Sequence, residues 1–443
     1  MHRILAGLVR CLLLGLVLFG QVQGGEEPKP LSAGEAQNLA RQYLAETDAA
    51  KKQALLEKCG TTPAESADAF VRLILPAGYP PAKTGLQHGL KLDVPATVSD
   101  KPVEYSISVP GKYAPNRLWP LFFGLHGGGN NTGSGQQHIG AMVGMNRLDA
   151  IVVCPTSVDL GVQKYWRNPK NEEALKLLIR HLSRQFAIDP DRIYLTGYSM
   201  GGIGSYYLGA RMTDVFAATA PGGGAWHGIH WPVMLNTPVY IWHGKKDMRG
   251  KNFTDFPNAE NAAAILKELG YDHHFAALDC GHAPTPASAE TAMGEWLLTK
   301  KRDPYAKRIV TSSPRAKDFS GMLLPAPPDR WLAIDEIGPA KLEMEGVAQG
   351  GTPRMKHKVA MGTLDAKWSG PNQLEVAAEN VKRFRVFLSP KLVNLKQPLK
   401  ITVNGKVAHD GPAPTSLKFL LQYLDERRDP SMVFLGEVSV SVP

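Results

Sequence analysis

Between about residues 100 and 300, short continuously apolar runs alternate with stretches whose apolar residues recur every three or four positions. Val103–Val109 alternates as a half-buried strand, whereas Leu121–Leu125, Ala150–Cys154 and Arg192–Thr196 read as strands covered on both faces. Helical spacing predicts a helix over Ala174–Arg184, another after Met200 and a third over Ala259–Leu269, with further strands at Ala217–Ala220, Val239–Trp242 and His274–Leu278. Alternation sustained over two hundred residues predicts a mostly parallel sheet with helices on both faces, spanning residues 95–303.

The flanks follow other patterns. Residues 25–90 are expected to be a short helical segment. Ser32-Ala33-Gly34-Glu35 and Thr62-Pro63-Ala64-Glu65 both have the spacing of a capping box, and Leu39, Tyr43, Leu44 and Phe70, Leu73, Ile74 form apolar stripes. Pro304, Pro314 and Pro325-Ala326-Pro327-Pro328 mark a linker. Short strands are then expected at Leu342–Val347, Leu374–Ala377, Phe384–Leu388, Leu399–Val403 and Val433–Val442. Asn404-Gly405 supplies both positive-φ positions of a tight hairpin turn. Residues 310–443 therefore read as a small all-β, sandwich-like domain.

Length and composition agree with several packed units. The chain has 443 residues, 43% apolar and 21% charged, which excludes wholesale disorder and leaves room for two or three domains. Its net charge of +9 is spread along the chain with no basic cluster interleaved with aromatics, so nucleic acid is not an expected partner. Arg3 and Arg10, the apolar run Cys11–Gly20 and the small residues around Val22-Gln23-Gly24 read as a signal peptide over residues 1–24. The run is too short to span a bilayer comfortably, so the mature chain is expected to be secreted or periplasmic, with no integral membrane segment. Cleavage leaves Cys59, Cys154 and Cys280, enough for one bridge at most and with no CxxC pair.

Candidate chemistry concentrates in the central region. Gly197-Tyr198-Ser199-Met200-Gly201 lies where an apolar strand ends and a helix with small residues begins, the context in which GxSxG holds a serine in a strained turn at a sheet's C-terminal edge. A serine hydroxyl needs a base to take its proton and an acid to orient that base. Asp247 follows the strand ending at Trp242, and His282 follows the next strand, so both fall at the same edge as Ser199. Asp279 is too near His282 in sequence to be an easy partner, Asp255 lies well past its strand, and His273, His274 and His243 read as packing or surface residues. His126-Gly127-Gly128-Gly129 follows an apolar strand, so its amides can approach an oxyanion. The Met200 amide is the expected first donor and Gly127 or Gly128 the second. Trp226, His227 and Trp166 are candidates for lining a substrate pocket. His227-Gly228-Ile229-His230 is too thin for a metal site, and no cofactor is expected.

The ordered set HGGG, Gly197–Gly202, Trp242-His243-Gly244 with Asp247, and Gly281-His282 resembles the secreted α/β-hydrolase esterases of the feruloyl esterase and polyhydroxybutyrate depolymerase group, over about residues 100–300. The resemblance implies a carboxylic-ester hydrolase using Ser199, Asp247 and His282 through an acyl-enzyme, on a small-molecule ester or one carried by an acylated polysaccharide. The same motifs resemble secreted prolyl-oligopeptidase-like serine peptidases, though no β-propeller precedes them here. A third reading is a non-catalytic carbohydrate-binding protein on a vestigial hydrolase core.

Overall fold

The computed structural model describes residues 30–128, 133–158, 165–225, 228–250, 254–282, 286–318, 322–346 and 354–443. The expected signal peptide lies outside them. Among the described residues no helix is long and apolar enough to cross a membrane.

The centre is an eight-stranded sheet. Its strands are β1 (Gly85–Leu92), β2 (Val103–Val109), β3 (Trp119–Leu125), β4 (Ile151–Pro155), β5 (Ile188–Tyr198), β6 (Ala218–Gly222), β7 (Val239–Gly244) and β8 (His273–Leu278), in the order β1-β2-β4-β3-β5-β6-β7-β8. β2 runs antiparallel to β1 and β4, and all pairs from β4 to β8 are parallel. This is the α/β-hydrolase arrangement. β1 begins within the stretch expected to be helical. Its mostly exposed, polar-rich edge carries little of the apolar signal that marks the inner strands.

Three helices before the sheet are α1 (Ala33–Ala45), α2 (Ala49–Glu57) and α3 (Asp68–Ile74). The core helices are α4 (Gly135–Ala141), α5 (Pro169–Gln185), α6 (Met200–Arg211), α7 (Phe256–Glu268) and α8 (Ala287–Leu298). One face of the sheet buries Leu121, Phe123, Ile193 and Leu195 with α5, α6 and α7, and the other buries Phe122, Val152 and Tyr194 with residues of α4 and α8. Alternate residues of the same strands thus feed opposite layers, which is why these strands read as unbroken apolar runs.

The Ser32 capping box forms as expected, with the hydroxyl accepting from Glu35 N–H. The Thr62 box does not. α3 starts at Asp68 without a side-chain cap, and the Thr62 hydroxyl instead accepts from Leu31 N–H at 3.0 Å, joining the turn after α2 to the residues just before α1.

After the core come β9 (Arg308–Ser313), β10 (Leu332–Ile337), β11 (Lys341–Gly346), β12 (Met355–Ala360), β13 (Gly362–Gly370), β14 (Gln373–Glu379), β15 (Val381–Leu388), β16 (Leu399–Val403), β17 (Lys406–Gly411), α9 (Leu417–Arg427) and β18 (Gly436–Ser441). A five-stranded sheet, β17-β16-β14-β13-β9, and a three-stranded one, β10-β15-β18, share a core that includes Trp331, Leu364, Ile401 and Phe384. Asn404 and Gly405 take φ of 51° and 80° in the β16–β17 turn, as the dipeptide predicts. The region is not purely β, however. Ser416 caps α9, whose Leu417 and Leu421 pack with Ala36, Leu39, Ala40 and Tyr43 of α1. α1 and α9 thus share one small core. Buried ion pairs bind this assembly to the sheet: Arg302 to Asp191 at 2.8 Å and to Asp429 at 2.7 Å, and Arg427 to Asp214 at 2.5 Å.

Candidate functional site

The register aligns the C-terminal ends of the parallel strands. Tyr198 pairs with Gly222, Gly222 with Trp242, and Trp242 with Ala276. Ser199 follows the first of these, Asp247 lies five residues past Trp242, and His282 lies six past Ala276, so three loops rise side by side from one rim.

Ser199 has φ 58° and ψ −119°, an unfavourable backbone for a residue with a Cβ, and strain of this kind costs of order 1–3 kcal/mol. The turn holds because its neighbours over-determine it. Ser199 N–H donates to Gly222 O at 2.9 Å, and Ile203 N–H returns to Ser199 O at 3.0 Å. The small residues after the serine bring α6 onto the strands. A Cβ on Gly201 would lie 1.9 Å from Leu125 O, and one on Gly202 would lie 2.0 Å from Gly222 O. Both obstacles are backbone atoms. Gly202→Ala is therefore expected to cost about 1–3 kcal/mol, measured as a lower urea or thermal unfolding midpoint.

The Asp247 carboxylate is buried, and its Oδ2 accepts from His282 Nδ1 at 2.5 Å. The loops carrying them are stitched together. Lys245 N–H donates to Leu278 O at 2.8 Å and Lys246 N–H to Cys280 O at 2.9 Å, while a Cβ on Gly244 would meet Gly281 O at 2.4 Å. The His282 ring stays partly accessible and stands 5.2 Å from the Tyr198 ring, beside the serine turn. Arg249 Nε lies 3.5 Å from Asp247 Oδ1, and His243 Nε2 lies 3.2 Å from Oδ2. Asp279 is exposed and pairs with Lys246 at 2.8 Å, outside this arrangement.

Gly127 approaches the serine closely: its position for a Cβ is 3.3 Å from Ser199 Cβ and 3.1 Å from Tyr198 O. Gly128 has φ +84°, open to glycine at little cost. The carbonyls of this loop are held from behind. Trp166 Nε1–H donates to His126 O at 3.0 Å, and His126 Nδ1 lies 2.8 Å from Gly127 O. His126 Nε2 accepts from Ser157 N–H at 3.1 Å, so the ring carries its proton on Nδ1 and donates to Gly127 O. Trans peptides turn the amides of Gly127 and Gly128 away from those anchors.

Trp166 thus corrects an expectation. It does not line an open cleft: it is buried, packed against His126 and α6, and acts on the rim through the His126 carbonyl. Trp226 and His227 lie outside the described residues. Among the described residues no three His, Cys, Asp or Glu side chains gather where they could hold a metal ion, and Cys59, Cys154 and Cys280 are free thiols.

A cavity of about 150 Å³ opens beside Gly127 and Tyr198. Met142, Met145, Met293 and Trp242 give it an apolar wall, with His138 and Glu290 as polar groups. Sequence reading missed it because its methionines come from the end of α4, the turn after it and α8, about 150 residues away, and methionine reads as ordinary core.

No protein-family model matches the chain. A bifunctional acetylxylan esterase/xylanase from Neocallimastix patriciarum is 25% identical over 213 residues, covering 42% of this chain and 31% of that protein. A probable feruloyl esterase C from Aspergillus flavus is 30% identical over 165 residues, covering 33% of this chain and 60% of its own length. The chain thus spans less than two thirds of either relative. Among solved structures, a thermostable esterase superposes with a TM-score of 0.39 at 24% identity, over 49% of this chain and 63% of its own. The chain is an α/β-hydrolase by fold, and over the matched part of its length it is similar to feruloyl and acetylxylan esterases.

Proposed function

We propose that the protein is an exported serine carboxylic-ester hydrolase that removes aromatic acyl groups from an ester such as an acylated polysaccharide. The observation that carries this reading is the buried Asp247–His282 pair, 2.5 Å apart, on loops adjoining the positive-φ turn that presents Ser199. Ser199 Oγ attacks the ester carbonyl while His282 Nε2 takes its proton. Asp247 keeps the Nδ1–H tautomer and stabilises the imidazolium. The Met200 amide and that of Gly127 or Gly128 hold the oxyanion. Collapse expels the alcohol, protonated by His282, and leaves an acyl-enzyme, which water hydrolyses by the same steps.

Ester rather than peptide specificity is supported by the named activities of the relatives. Aromatic rather than acetyl specificity is supported by the methionine-lined cavity, because an apolar space of about 150 Å³ admits one benzene ring. We assign the C-terminal region a scaffolding role. Ala316 bridges to Ile229 and Lys317 N–H donates to Gly228 O at 2.7 Å, bracing the loop after β6.

Methyl ferulate, p-nitrophenyl acetate and a proline-containing chromogenic peptide separate the readings. Hydrolysis of both esters is expected, with kcat/KM favouring ferulate. Peptide cleavage without ester cleavage would reverse the assignment to a peptidase, and absence of turnover and of fluorophosphonate labelling would reverse it to a binding protein. Ala141, exposed at the cavity wall, allows a size test without disturbing the core. Ala141→Trp is expected to lower the ferulate-to-acetate ratio of kcat/KM by about tenfold or more.

A further inference from the structure

His243, near the end of β7, has more to do than fill space. His243 is fully buried at the end of β7, and its Nε2 lies 2.7 Å from Thr254 O and 3.2 Å from Asp247 Oδ2. Facing a carbonyl oxygen and a carboxylate oxygen, neither of which can donate, Nε2 must carry the proton. Nδ1 is then a bare acceptor, and it has no hydrogen-bond partner among the described residues. Burial lowers the affinity of the ring for a second proton. The residue therefore serves as a neutral donor with one N–H, held edge-on to Phe256, whose own amide donates to Asp247 O at 2.9 Å.

Asp247 needs such a donor. Its side chain has His282 on Oδ2 and an exposed arginine 3.5 Å from Oδ1, and Oδ1 has no hydrogen bond among the described residues. A carboxylate held by His282 alone could rotate with the imidazole it must orient. We infer that His243 is a positioning residue for the acid. Its Nε2–H, shared between Thr254 O and Asp247 Oδ2, fixes the carboxylate plane so that His282 presents Nε2 toward Ser199. This inference rests on the proposed triad. It assigns a task to a residue that the sequence marks only as packing.

Two variants separate a donor from a filler. His243→Phe keeps a flat ring and removes the N–H, whereas His243→Gln can place an amide N–H near the same point. For His243→Phe, kcat on p-nitrophenyl acetate is expected to fall about 10–100-fold with KM within about twofold, the loss of one hydrogen bond to a charged group. His243→Gln is expected to recover most of that loss. Full kcat in a folded Phe variant, or equal losses in both variants with parental melting midpoints, would overturn the inference. Should the Phe variant not fold, the Gln variant decides: folded and still 100-fold slow, it refutes the donor role, and folded and active, it supports it. Parental protein with no esterase activity would instead reject the proposed function, so the two failures are distinguishable.

Discussion

Ser199→Ala is expected to lower kcat on any ester by at least about 10⁴-fold, and toward 10⁶-fold if the acyl-enzyme route is the sole one. The loss should be in kcat with KM little changed, because the cavity and the oxyanion loop do not depend on the hydroxyl. Stability should not fall either. Alanine has the same Cβ as serine at φ 58°, and among the described residues the Ser199 side chain makes no capping hydrogen bond to the turn, which is held by Ser199 N–H to Gly222 O and Ile203 N–H to Ser199 O. Progress curves, a melting midpoint and mass spectrometry after fluorophosphonate treatment check this together. The parent should gain one adduct, and the variant none. An alanine variant that keeps more than a hundredth of parental kcat would place the nucleophile elsewhere.

Asp247→Asn is expected to have the next largest effect, about 10³–10⁴-fold in kcat. The asparagine amide is close in shape to the carboxylate, so the buried site should remain filled. It can, however, turn its N–H₂ toward His282 Nδ1, which then becomes the acceptor. The imidazole proton moves to Nε2, and a protonated Nε2 cannot take the proton of Ser199. Fluorophosphonate labelling should slow in parallel with ester hydrolysis, since both require the same deprotonation. A variant with unchanged labelling but slow turnover would confine the role of Asp247 to deacylation. The comparison with His243→Phe orders the network: loss of the acid should exceed loss of the donor behind it.

Much of this was legible in the chain because its signals are local. The apolar runs at 121–125 and 150–154, and Ile193-Tyr194-Leu195 within 192–196, mark strands covered on two faces, and all three strands occur. The glycines around Ser199 announce close backbone approach before any neighbour is known, and Leu125 O and Gly222 O are those neighbours. α9 was equally available, with Ser416 ahead of Leu417, Leu420, Leu421 and Leu424 at helical spacing, but the surrounding strands drew the whole region into a β reading. Thr62-Pro63-Ala64-Glu65 erred the other way. A capping pattern states only what a side chain could bond, and Leu31 N–H, 31 residues away, was the better partner.

The order of strands and helices, the serine turn, and the short set of acids and bases at strand ends are all written locally in the chain. Each follows from side-chain periodicity or backbone sterics within a few residues. The tertiary structure decided which of those groups meet. It joined Asp247 to His282 and left Asp279 to a surface lysine, and it put Trp166 beneath the His126 carbonyl and His243 beside the Asp247 carboxylate. It also packed α1 against α9. Those outcomes depend on strand register and on which surfaces are excluded from water once the layers close, quantities that belong to distant parts of the chain jointly and to no segment alone.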